Sequence, residues 1–205
     1  MKKYLVFLYV IGFLSITCLQ AQFHLGADVG YGYRLGTVET DDIYLKDFIK
    51  GLRSGLSIGA DASYYLRPTL GFGMKYSYFY ASNSWGDVWE KTYTNFVGPV
   101  FCGRSKPLGA QKSILLAYSA GIGYLHFRDK WSVDKQKGEF TAETYGIYTD
   151  FGLEIRLAPK LYLTGKVYLL GSNYNSYKQN SEKIKLDKPA NVSRAGITAG
   201  LKFKL

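Results

Sequence analysis

Phe23-His24-Leu25-Gly26-Ala27-Asp28-Val29-Gly30-Tyr31-Gly32-Tyr33-Arg34-Leu35 alternates without a break. Phe23, Leu25, Ala27, Val29, Tyr31, Tyr33 and Leu35 are apolar or aromatic. His24, Gly26, Asp28, Gly30, Gly32, Arg34 and Gly36 are small, polar or charged. Successive side chains on an extended chain point to opposite faces, so the segment is a strand with one greasy side. Strands of soluble sandwiches average about 5–6 residues. This one holds its pattern for about thirteen, a length that crosses a bilayer when the strand is tilted.

The same alternation recurs along the chain. Leu52, Leu56, Ile58, Ala60, Ala62, Tyr64 and Leu66 share a face, with Ser54 the exception, and Arg67-Pro68-Thr69 then turns the chain because proline ends the ladder. Leu70, Phe72, Met74, Tyr76, Tyr78 and Tyr80 follow, opposed by Gly71, Gly73, Lys75 and Ser77. A fourth strand over 92–104 has no clear facing, and Gly98-Pro99 predicts a bulge or irregular edge there. The fifth runs over 113–127, the sixth over 144–157, the seventh over 161–170 and the eighth over 194–205. In the sixth, Ile147, Thr149, Phe151, Leu153, Ile155 and Leu157 oppose Gly146, Tyr148, Asp150, Gly152, Glu154 and Arg156.

Connections alternate in length. Those after the second, fourth and sixth strands are short; those over 37–50, 81–91, 128–143 and 171–191 are long and polar. Short turns on one side and long loops on the other suit a barrel in an outer membrane, with both termini on the short-turn side. The expected fold is therefore all-β: an eight-stranded antiparallel up-and-down transmembrane β-barrel over 22–205. Residues 1–21 read as a signal peptide. Lys2 and Lys3 form a basic start, Tyr4 to Ile16 is an apolar run too short to span a membrane as a helix, and Ala21 is a small residue at the cut. Cys18 raises lipidation as an alternative, against which Thr17 argues. After cleavage only Cys102 remains, which excludes a disulfide-stapled secreted domain. Aromatic residues make up 17% of the chain, with 19 Tyr and 23 Gly, a bias that fits strands, membrane interfaces and narrow barrel interiors. The net charge is +10, of which Lys2 and Lys3 supply two. For an exported chain that charge points to acidic surface glycolipid or polymer and not to nucleic acid.

The signal peptide, the alternating strands, Gly98-Pro99 and the terminal Gly200-Leu201-Lys202-Phe203-Lys204-Leu205 resemble the porin-family outer-membrane β-barrel domain proteins. Among them they resemble the small OmpA- and OmpX-like barrels. The resemblance implies a Gram-negative outer-membrane location, lipid and lipopolysaccharide as surroundings, barrel-assembly machinery as a partner during biogenesis, and a monomer. It implies a structural or surface-interaction role with four extracellular loops. A narrow passive pore is the alternative, and a lipid-modifying enzyme a more distant one.

An eight-stranded barrel is just wide enough for side chains to fill. Its inward positions carry Asp28, Asp61, Asp150 and Glu154 with Arg34, Arg53, Lys75, Arg156, Lys166 and Arg194. Buried charges are costly unless paired, so an interior charge network is expected, closing the bore. Tyr76, Tyr78, Tyr80, Trp85, Trp89, Tyr93 and Tyr124 predict an aromatic girdle at the outer ends of the strands. Catalytic, cofactor and metal sites are not expected. His126 with Ser132 or Asp129 is the candidate catalytic grouping, and Cys102 lies far from both His24 and His126.

Overall fold

A computed structural model describes residues 22–36, 43–109, 111, 113–134, 136–180 and 182–205. The expected signal peptide and Cys18 lie outside the described residues. The elements are β1 (Gln22–Arg34), helix α1 (Ile43–Gly51), β2 (Ser54–Arg67), β3 (Leu70–Trp85), β4 (Val88–Arg104), β5 (Ile114–Val133), β6 (Gln136–Ala158), β7 (Leu161–Gln179), β8 (Glu182–Asn191) and β9 (Arg194–Lys204).

Strands β1 to β7 pair antiparallel with their sequence neighbours; β9 then pairs with both β7 and β1 and closes a ring of eight. Closure leaves no open edge, which a structure in hydrocarbon requires. Strand β8 stands outside the ring, paired with the upper part of β7. Both ends of the ring's chain meet on the short-turn side, where the Leu205 amide donates to the Phe23 carbonyl at 2.9 Å.

The facing follows the alternation. Phe23, Leu25, Val29, Phe72, Met74, Ile122, Ile147, Phe151, Val167, Ile197 and Leu201 are exposed on the outer wall, which is the surface hydrocarbon covers. Two aromatic belts bound it. Phe23, Tyr64, Phe72, Phe101 and Phe203 ring the short-turn end. Tyr33, Tyr80, Tyr93, Tyr124 and Tyr145 ring the other, with cross-strand contacts Tyr80–Tyr93 at 5.2 Å and Tyr124–Tyr145 at 6.4 Å. Belts at both interfaces are the mark of a membrane-spanning barrel.

Two expectations are corrected. Gly98-Pro99 makes no bulge, since the register of β4 against both β3 and β5 is the same on either side of the pair. Proline's missing N–H costs a rung on the β5 side without inserting a residue. The long connections, too, are mostly strand. Above the upper belt β3 to β7 continue as hairpins. The β3–β4 turn is Gly86-Asp87 with Gly86 at φ +58°, and Asp134 and Asn180 take φ of 48° and 50° at the other two tips, as tight hairpin turns demand. The first connection carries α1, where Asn83 Nδ2 donates to the Phe48 carbonyl at 2.6 Å and fixes the helix to β3. The sheet therefore projects above the belt on the β3–β8 side only, while β1 and β9 end near it.

Candidate functional site

Inward side chains fill the lumen in three tiers. At the short-turn end Arg104 gathers the strands. Its Nε donates to the Pro68 carbonyl at 2.7 Å and its Nη2 to Gln22 Oε1 at 2.7 Å. Its Nη1 lies 3.3 Å from His24 Nε2, and the guanidinium stands 4.2 Å over the Tyr65 ring. His24 is fully buried between Tyr65 and Tyr162.

Next comes a knot of charge. Lys75 Nζ lies 3.1 Å from Asp28 and 3.8 Å from Asp61. Lys166 Nζ lies 3.0 Å from Asp61 and 3.4 Å from Asp28. Lys202 Nζ reaches Glu154 at 2.8 Å and Asp61 at 3.5 Å. Asp150 accepts from the Tyr148 hydroxyl at 3.0 Å. Inward glycines give these groups room: a Cβ at Gly59 would strike the Asp28 carboxylate, and one at Gly26 that of Asp61. The free space beside the knot is about 20 Å³, bordered by Asp61, Asp150, Lys75, Lys166, Lys202 and Cys102, room for about one water.

Above the charges the filling turns aromatic. Phe96 stacks on Tyr148 at 5.6 Å and Tyr148 on Tyr168 at 6.1 Å, and the Tyr168 hydroxyl donates to Ser57 Oγ at 2.9 Å. Arg194 is fully buried at this level, donating to Ser77 Oγ at 3.0 Å with its guanidinium 5.4 Å from the Phe79 ring. At the mouth Phe127 stacks on Tyr174 at 5.7 Å and Arg34 stands 5.1 Å over it; Phe140, Tyr177 and, from β8, Leu186 and Ala190 pack alongside.

Of the ten residues expected in the interior network, Asp28, Asp61, Lys75, Glu154 and Lys166 meet in the knot, Asp150 borders its cavity, and Arg34 stands at the mouth over Phe127. Arg194 is inward but bonds to Ser77 and not to an acid. Arg53 and Arg156 do not join. Arg53 precedes the first residue of β2 and reaches the Tyr33 hydroxyl at 3.5 Å. Arg156 sits at the β6–β7 register shift and is exposed. The residue missed is Lys202, which touches both Asp61 and Glu154; its inward place in the last strand was visible in the alternation. His126 faces outward, Asp129 faces inward and accepts from Thr92 Oγ1 at 3.2 Å, and Ser132 pairs with Trp89 while His126 pairs with Asn95, six residues back along β5, so the candidate catalytic grouping does not assemble. Above the belt, burial, and then the neighbouring Glu90 carboxyl, push Asp129 up to about 8. On the outside Arg128 holds the Glu139 carboxyl below its usual range.

Compared with family models and with curated proteins, the sequence matches none. Solved structures do match. The neisserial surface protein A superimposes with a TM-score of 0.59 at 15% identity, over 90% of this chain and 99% of that one. The chain has the fold of the small outer-membrane β-barrels. A major outer membrane protein of Thermus thermophilus agrees at TM-score 0.58 and 12% identity, over 90% of this chain and 99% of that one. For OprG of Pseudomonas aeruginosa the values are 0.57 and 10%, over 91% and 96% of the two chains. The chain shares its fold with all three.

Proposed function

We propose that this chain is a resident of the bacterial outer membrane, a closed structural barrel that acts at the cell surface through its projecting wall. The observation that carries the reading is the continuous filling of the lumen: a guanidinium clamp, a charge knot, an aromatic stack and an apolar mouth succeed one another along the axis. A bore so filled has no water column for ions to follow, and the work is left to the outside. The placement is supported by the two aromatic belts and the lipid-facing band between them. The partners are outer-membrane lipid and lipopolysaccharide, with the barrel-assembly machinery during biogenesis. A catalytic role draws no support from His126 and Asp129, which lie on opposite faces of one strand.

Planar-bilayer recording tests the reading. The purified barrel is expected to give no steady conductance above lipid background. A reproducible, ion-selective channel would replace this reading with that of a narrow pore.

A further inference from the structure

Above the upper belt the projecting sheet keeps its two faces, and from β3 to β6 its outer face continues the lipid-facing wall without a change of register; the β6–β7 pairing shifts between Thr141 and Gly146. On β5, Ile122 and Tyr124 lead on to His126, Arg128 and Lys130; on β4, Val97 leads by way of Tyr93 to Lys91. Below the belt this face is apolar; above it Arg128, Lys130 and Lys91 outnumber the outward acids Glu139 and Glu143. Tyr93 pairs across the strands with Arg128, and on the next outward rung Lys91 pairs with Lys130, which in turn pairs with Glu139.

The charges on these rungs do not cancel. Arg128 is committed to Glu139, with Nε 2.7 Å from Oε1 and Nη2 2.8 Å from Oε2. Lys130 reaches the same carboxylate only at 3.6 Å. Lys91 makes no ion pair among the described residues and stands 5.2 Å over the Trp89 ring. Like charges directly opposite one another weaken a sheet. Two rungs of alternating strand would accept any polar residue here, so an adjacent lysine pair points to an anion from outside the chain. One strand further round, Thr141 pairs with Lys178 and Lys178 with Lys183, which extends the positive face toward β8.

We infer that this patch binds the phosphate groups of an outer-leaflet glycolipid, with Lys91 and Lys130 as the phosphate ligands and Arg128 held in place by Glu139. The inference rests on the outer-membrane placement proposed above. Position selects a lipid phosphate over a soluble polyanion. The patch lies on the wall that faces the bilayer and not on the tip of the projection, and it begins one rung above a tyrosine belt. That is the level of lipid headgroups, and neighbouring strands spaced about 4.8 Å apart present the two ammonium groups at the scale of one phosphate.

The test uses the folded protein in phosphatidylcholine nanodiscs containing either bisphosphorylated or dephosphorylated lipid A, with lipid retention read by native mass spectrometry. Wild type is expected to retain the bisphosphorylated form selectively. Lys91→Gln and Lys130→Gln are each expected to lower retention about fivefold, with heat-modifiable gel migration unchanged. Lys188→Gln, which removes the same charge from β8, is expected to retain lipid as wild type does. Equal retention of the two lipid A forms would overturn the inference, as would retention indifferent to Lys91 and Lys130. Binding of a soluble sulfated polysaccharide through those two lysines, with lipid A ignored, would overturn the choice of partner. Conductance through the barrel would sink the closed-barrel reading while leaving these retentions as they are, so the two fail separately.

Discussion

The lower and upper halves of the lumen are lined by inward positions of the same strands and are filled by opposite means. Below, Asp28, Asp61 and Glu154 are neutralised by Lys75, Lys166 and Lys202. Above, Phe96, Tyr148 and Tyr168 stack, and Phe127 and Tyr174 stack over them. The difference lies in how each half responds to loss. A buried charge depends on its partner, because the group left behind remains buried and uncompensated. An aromatic stack loses contact area in proportion to what is removed. The charged half is therefore specific about pairing and brittle, and the aromatic half is tolerant.

The largest expected effect follows from that brittleness. Asp61 lies within ion-pair reach of Lys75, Lys166 and Lys202. Asp61→Ala is expected to destabilise the barrel by about 3–5 kcal/mol, read as a lowered urea midpoint in detergent. Asp150→Ala, which loses one tyrosine hydroxyl bond, should cost about 1 kcal/mol. Equal midpoints for these two variants would show that the ion pairs do not carry the lower half.

In the upper half a buried acid, Asp129, lies beside the half-buried Glu90, and it sharpens the comparison. The Asp129 carboxyl is raised to about 8 by burial and then by Glu90, so folding takes up a proton between its ordinary value and there. Stability should fall as pH rises through that window, by at most ~1.4 kcal/mol per pH unit. Asp129→Asn should flatten the slope of urea midpoint against pH from 5 to 8. Parallel slopes for variant and wild type would place the titration elsewhere. An effect as small as that of Asp150→Ala belongs to the stack itself. Phe96→Leu is expected to cost about 1 kcal/mol, and a loss as large as that of Asp61→Ala would erase the contrast between the halves.

Facing was legible wherever one side of a strand is wholly apolar, as in β1, β6 and β9. It failed in β4, where Gly98 and Pro99 interrupt the pairing with β5 but insert no bulge. The projecting hairpins were hidden for a different reason. Above the membrane neither face must be greasy, so period two fades although the strands continue. The turn residues Gly86, Asp134 and Asn180 were the remaining signal. The charge knot was half legible: alternation says which residues point inward, but register decides which of them meet. Lys202 joins Asp61 because β9 closes against β7 and β1, whereas Arg53 and Arg156 fall at strand ends where alternation no longer governs direction.

That closure sets the order of events in folding. His24 pairs with Lys204 and Tyr33 with Ala195, contacts between residues almost a whole chain apart. The ring cannot shut until its last strand has been supplied, and loop-closure entropy makes so distant a pairing slow. Until then β1 and β9 are two bare edges in search of hydrogen bonds, each able to pair with another chain. The seam between them is where assembly is most exposed to error, and where an escort that shelters a strand edge would have the greatest effect on yield.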